Sequence, residues 1–393
     1  MERLLQMVHM RNYLHQINTI ENYMKGNLYK IKGSDLMRFI IMKELKYYFR
    51  RPLFYIGVIL VLLCVLFLVK PYLGIEYYGE NKKFIEVTEE KQADVEIYDG
   101  YIPTDEQERY QLALDNIYED LLIMGYNKEK AKEAIQKIND TSMSIEQIDE
   151  YMRNNYKMHG STSFFQFRTN YRLGTVTEVN QYIKHKLSIE RYTQYWGRKY
   201  ADYMSIATVF FGMIMFAILC INEYKHDIYE VLHSKPIKPY KFILGKVLGG
   251  VIANIIALGV VTFVFDIILT IKCRQSDFPA NFCDLWFYFV VCICPVVICM
   301  GCFSVFLTSL FKTSLPTIPI FVLWLIYSNL GEYRAGVGYG YVQKPLSIIT
   351  RFPANFFDTS FSNDIFLFQG ILILIAVLMV ILSIIMWTRR TLL

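Results

Sequence analysis

The chain lacks the motifs by which an enzyme is usually recognised. It holds no Gly-x-x-x-x-Gly-Lys-Ser/Thr loop, no His-Glu-x-x-His and no Gly-x-Ser-x-Gly. That excludes ATP hydrolysis on a P-loop, zinc peptidase chemistry and a nucleophile elbow. Gly245-Lys246 comes nearest to the first, but Val247 follows and the earlier glycine is missing. Charge is scarce as well. Only 20% of 393 residues are Asp, Glu, Lys or Arg, while 54% are hydrophobic and 16% aromatic. Six histidines are scattered, and His226 and His233 are expected at a surface rather than on a metal. No internal repeat or low-complexity tract interrupts the chain.

What the sequence does contain is long apolar runs. A hydrocarbon core of about 30 Å needs roughly 20 apolar residues in helical form, and lipid offers backbone groups no other partner. Six runs qualify: Leu53–Leu73, Tyr203–Ile221, Phe242–Ile271, Trp286–Phe311, Leu315–Leu330 and Phe366–Trp387. The expected fold is an all-α polytopic membrane protein with six transmembrane helices. The first run begins too far into the chain for a cleaved signal and is expected to be retained. Lysines and arginines before Leu53, around Lys225–Lys241, at Lys312 and at Arg389–Arg390 all fall on one side of such a bundle. The positive-inside rule makes that side cytoplasmic, with both termini inside the cell membrane. The net charge of +5 is accounted for in this way, and no nucleic-acid partner is implied.

The segments between the spans divide the chain. Residues 1–52 form a cytoplasmic segment whose second half, from the N-cap pair Ser34–Asp35 to Arg51, is an amphipathic helix stopped by Pro52. Lys43, Lys46 and Arg50 make its basic stripe, and Phe39, Ile40, Leu45 and Phe49 its apolar one, which suits the inner membrane interface. The first span, 53–73, leads into an extracellular, mainly helical domain, 74–202. There Tyr110, Leu114, Ile117, Tyr118 and Leu121 recur at helical spacing, and Ser144 with Gln147 can form a capping box. Tyr192, Tyr195, Trp196, Tyr200 and Tyr203 fit an outer aromatic belt. The remaining spans occupy 203–393, with an inner loop at 222–243 and an irregular outer stretch at 331–364, broken by Pro353.

Within the spans, Cys64, Cys220, Cys292, Cys294, Cys299 and Cys302 have no nearby His, Asp or Glu, so they are packing residues and no metal site is expected. Cys273 and Cys283 share a short outer loop and are sterically able to form a disulfide. Asp266 is expensive inside a membrane and suggests a pathway or a paired charge, unless it reaches the interface near Lys272. Asn254 is placed to hydrogen-bond across helices, and Pro295, Pro316 and Pro319 to bend or break spans.

The richest segment is the inner loop, with Glu223, Asp227 and Glu230 on one face of a short polar helix, followed by Ser234, Pro236, Phe242, Gly245 and Lys246. This order resembles the inner loop of ABC type-2 permeases, although the glycine expected between the two glutamates is replaced around Asp227. The resemblance implies an elbow helix, six spans and re-entrant helices between the last two. It further implies that the loop seats in a separate ATP-binding-cassette ATPase, which carries the ATP and Mg, and that two permeases assemble. Expected ATPase-coupling residues are then Glu223, Asp227, Glu230, Ser234, Pro236, Gly245 and Lys246, with no cofactor on this chain. The cargo expected from apolar, aromatic walls is amphipathic: a hydrophobic peptide, lipid or drug, moved outward. A non-transporting receptor or scaffold with an outer ligand-binding domain is the other reading these residues allow. The Lys-, Ile-, Tyr- and Asn-rich composition suggests a bacterial source.

Overall fold

The computed structural model describes residues 33–86, 95–141, 143–165, 169–219, 238–334, 338–341 and 343–390. Helix α1 (Gly33–Phe49) and helix α2 (Pro52–Val69) are divided where the sequence demands it. Arg51 is extended, as a residue before proline tends to be, and Pro52 opens α2, where its missing N–H costs nothing. A 3-10 turn, Lys70–Gly74, lengthens α2 to 23 residues.

A domain is inserted between α2 and the next span. Strands β1 (Tyr101–Pro103) and β2 (Tyr171–Leu173) pair antiparallel, with Tyr101 opposite Leu173. Between them run α3 (Glu106–Ile123), α4 (Lys128–Thr141) and α5 (Ile145–Tyr156). These three helices close a core of their own from Leu114, Ile117, Leu121, Ala134, Ile138 and Met152, all buried. Each such aliphatic side chain contributes about 1.5–3 kcal/mol. The caps fix the limits. The Glu108 N–H donates to Asp105 at 2.7 Å, and Ser144 with Gln147 forms the expected reciprocal box. Gly125, at φ +91°, turns α3 toward α4. Helix α6 (Val176–Ile189) opens on a second box, Thr175 with Glu178. The Arg172 guanidinium, followed by the Thr175 N–H, holds the Glu178 carboxyl down to about 2. Arg172 also pairs with Glu108, so the ladder, α3 and α6 are tied together.

The membrane helices follow: α7 (Tyr192–Leu219), α8 (Pro239–Ser276), α9 (Cys283–Phe311), the short α10 (Thr317–Asn329) and α11 (Asp364–Arg390). Among the described residues five helices are long and apolar enough to cross a membrane: α2, α7, α8, α9 and α11. The sixth expected span, Leu315–Leu330, is the 13-residue α10. At 1.5 Å per residue it rises about 20 Å, short of a hydrocarbon core of about 30 Å. Pro316 caps its start and an extended Leu330 ends it. Helix α9 packs against α7, α8 and α11, and α2 against α7. A Cβ on Gly301 of α9 would stand 2.7 Å from Val251 on α8 and 3.0 Å from Phe216 on α7. Small residues of this kind let membrane helices approach. The expected bend at Pro295 takes the form of a π turn, Phe289–Ile293, just ahead of it, which absorbs the missing N–H.

Three further segments are placed as follows. Tyr192, Tyr195, Trp196 and Tyr200 are not a lipid-facing belt; each is at most 3% exposed. Phe356 and Phe357 pack on Tyr192 and Tyr195, and Phe265 packs on Trp196 and Tyr200. Cys273 and Cys283 are both free thiols, the first buried in the last turns of α8 and the second exposed. The described part of 331–364 holds no re-entrant α-helices. Strands β3 (Glu332–Arg334) and β4 (Gly338–Gly340) pair, and an irregular strap, 343–359, then runs over the bundle with a single 3-10 turn at Phe356–Asp358. Pro345, Pro353 and buried side chains such as Ile348, Thr350 and Phe356 hold it in that form.

Candidate functional site

Two joints, one at each end of the α7–α8 pair, carry the arrangement. At the loop end, helix α8 starts from Lys238 in extended conformation with Pro239 at its first position. Helix α1 lies along this start, and both ascend together. Gly245 meets Ile40, and a Cβ on Gly249 would fall 2.5 Å from that of Glu44 and 3.2 Å from the Ile41 carbonyl. Ile40, Glu44 and Tyr48, four residues apart, form the buried face of α1. Lys246 is 3% exposed, and its Nζ lies 3.3 Å from Glu44 Oε1. The Tyr48 hydroxyl donates to the Met215 carbonyl on α7 at 2.9 Å. On another side, Phe242 packs at a tilt on Trp387 of α11, ring centroids 4.8 Å apart.

The sequence-predicted coupling residues divide here. Glu223, Asp227, Glu230, Ser234 and Pro236 lie outside the described residues. Gly245 and Lys246 are inside, and they are packed against α1 within the chain. Asn254 is buried, but its amide donates to the Gly250 carbonyl of its own helix at 2.8 Å rather than across helices. Asp266 is buried on α8, away from Lys272, which pairs with Glu76. Among the described residues no group of His, Cys, Asp and Glu is arranged to hold a metal ion.

The joint at the domain end is built of buried charge. Asp202 on α7 accepts the Phe352 N–H at 3.0 Å and pairs with Arg351 at 2.8 Å. Lys199 donates to the Ala354 carbonyl at 2.6 Å and lies 3.8 Å from Glu96. Glu96 accepts the Phe356 N–H at 2.9 Å, and Asn355 donates to the Val95 carbonyl at 2.8 Å. Burial pushes the Glu96 carboxyl up, against the opposing pull of Lys199 and the Phe356 N–H. Farther along the strap, Asp358 accepts from Tyr171, Tyr182 and Lys186 of the inserted domain at 2.9–3.0 Å. Burial, then the Asp358 charge, raises both phenols. The strap thus joins α7 to the inserted domain at Glu96 and at Asp358. It also reaches α10, where Trp324 donates to the Leu346 carbonyl at 2.6 Å.

None of this second joint was singled out in the sequence. A signal was present, because Arg198, Lys199 and Asp202 interrupt the start of an otherwise apolar helix, where charge is costly. Their partners, 150 residues away at Arg351–Thr359, carry no local mark.

The five long apolar helices among the described residues, with a charged domain inserted between the first two, accord with a model of the ABC-2 family transporter proteins, which matches residues 38–390. The chain belongs to that family. It is a multi-pass membrane permease subunit without an ATPase domain. No curated protein and no solved structure matches the permease significantly. The match begins within α1 and ends within α11, so both joints fall inside it.

Proposed function

We propose that this permease exports an amphipathic cargo, such as a hydrophobic peptide, lipid or drug, driven by ATP-binding-cassette ATPase subunits that bind the loop between α7 and α8. ATP and Mg belong to those subunits, and two permeases, identical or related, enclose the pathway. The loop and both chain ends then face the cytoplasm, the inserted domain faces outward, and α1 is an interfacial elbow. Glu223, Asp227 and Glu230 offer acids to a basic groove of the ATPase, with Ser234 and Pro236 setting the turn back into the membrane.

The observation that supports this reading is the clamp at the start of α8. A push on the loop acts directly on Lys238–Pro239, and the Glu44–Lys246 pair with the Gly245 and Gly249 contacts makes α1 and α8 respond as one body. Gly245 and Lys246 therefore transmit the motion rather than touch the ATPase.

The test is reconstitution of the permease with its co-purifying ATPase, in the native form and as Glu230→Arg. Reversing that charge is expected to abolish cargo-stimulated ATP hydrolysis and transport while the complex remains folded. Unaltered coupled transport in the variant overturns the coupling role.

A further inference from the structure

Asp266 is a buried carboxylate without a counter-ion. It is 1% exposed, and among the described residues neither of its oxygens completes a hydrogen bond. The Trp286 indole N–H faces it without completing a hydrogen bond, and the Trp196 N–H is also unpaired. The nearby polar groups are used elsewhere. Tyr200 and Thr262 share a 2.9 Å hydrogen bond, and Thr262 donates onward to the Leu258 carbonyl. Lys272 pairs with Glu76, Arg191 with Asp284 and Arg198 with Glu190. An isolated charge in such surroundings must take up a proton or a cation.

The walls say which kind of cation fits. Trp196 stacks on Tyr200 at 5.6 Å, and Phe265 lies 5.4 Å from Tyr200 and 5.9 Å from Trp196. Trp286 lies along α8, with its benzo edge 3.9 Å from where a Cβ on Gly259 would sit. One carboxylate among aromatic rings lacks the six to eight oxygen ligands a calcium-like ion requires. It suits an organic ammonium group, which aromatic faces attract. Ile256, Val260, Phe263, Ile267 and Ile271 form an exposed apolar stripe on α8, and Trp286 is partly exposed.

We propose that Asp266, Trp286 and the Trp196–Tyr200–Phe265 wall bind the ammonium group of an amphipathic amine whose apolar tail lies along the α8 stripe. This rests on the transport reading and narrows its cargo to cationic amphiphiles. The amine enters sideways from lipid past Trp286 in its neutral form and takes up the proton that Asp266 holds in its absence, so that ammonium and carboxylate form together.

The probe is a bromododecyl ammonium, whose tail bromine quenches tryptophan fluorescence, titrated into the full-length permease in lipid nanodiscs. Bromododecanol and bromododecyl sulfate serve as controls. Saturable quenching by the amine is expected, with half-saturation raised about tenfold or more in Asp266→Asn. Asp266→Glu keeps the charge and retains binding, which separates loss of the site from misfolding, and Trp286→Phe removes most of the quenching. Equal quenching by amine and alcohol, or an unchanged isotherm in Asp266→Asn, overturns the site and shows that Asp266 holds only a proton. Because no ATPase is present, that result leaves the Glu230→Arg test untouched.

Discussion

The Glu44–Lys246 pair gives the sharpest quantitative test of the loop-end joint. Both side chains are at least nine-tenths buried and 3.3 Å apart. Glu44→Ala removes the carboxylate that lies 3.3 Å from the buried Lys246 ammonium, and breaking a buried ion pair costs about 3–5 kcal/mol. An exposed pair would cost at most about 1 kcal/mol. Replacing both residues by methionine removes both charges and keeps the volume, so Glu44→Met with Lys246→Met should fall within about 1 kcal/mol of the native protein. At roughly 2 °C per kcal/mol for a chain of this size, the single variant melts about 5–10 °C lower and the double variant nearly unchanged. Thermal unfolding in mild detergent, followed by intrinsic fluorescence, reads this difference. Hydrogen exchange on the amides of α1 locates it, since loss of the clamp frees that helix first. If the single and double variants melt alike, or Glu44→Ala costs under 1 kcal/mol, the pair is not the buried clamp described above.

Three further outcomes follow from the same geometry. Asp358→Ala strips the acceptor from Tyr171, Tyr182 and Lys186 at once, costing about 0.5–1.5 kcal/mol for each of these half-buried hydrogen bonds; protease should then cut the strap faster, while the melting of α1 stays unchanged. Glu178 has a depressed folded pKa, about 2, so its contribution is complete above the unfolded value of about 4.3 and disappears as pH falls toward 2; the circular dichroism of Glu178→Gln should change less across that window than that of the native protein. Gly301→Val forces new methyls into Val251 and Phe216 and should destabilise by about 1–3 kcal/mol or more, whereas an unchanged melting temperature would refute the three-helix contact.

The membrane character was legible because hydropathy depends on composition within one segment, and all five long helices lie where apolar runs lie. The caps at Ser144 and Pro52 were legible for the same local reason. Helix α10 misled because Leu315–Leu330 has the composition of a span, while its length is cut by Pro316 at one end and by an extended Leu330 at the other. The tyrosines of α7 misled differently. Aromatics before an apolar run fit a lipid interface, and only the strap, more than 140 residues later, together with Phe265 of α8 shows that protein covers them. Lys246 was visible as a charge near the coupling loop, but its partner Glu44 lies 202 positions away, and a single sequence does not announce such pairs. Asp266 stood out in the sequence as a costly acid, in a pathway or near the interface; the structure adds that it is buried and that Lys272 is engaged with Glu76.

The shortness of α10 has a mechanical consequence for the lipid around it. Leu315, Ile318, Leu323, Ile326 and Leu330 are exposed along this helix, so an apolar band about 20 Å tall stands where a bilayer offers about 30 Å. On that flank the bilayer must thin, or another protein surface must replace it, whereas α2 and α11 match a full-thickness membrane. The mismatch is paid in bent lipid, at a fraction of a kcal/mol per Å. Any rearrangement that tilts α10 changes that elastic load. Acyl-chain length is thereby coupled to the state of the permease, with long-chain lipids favouring whichever state holds α10 most upright and short-chain lipids easing its tilt.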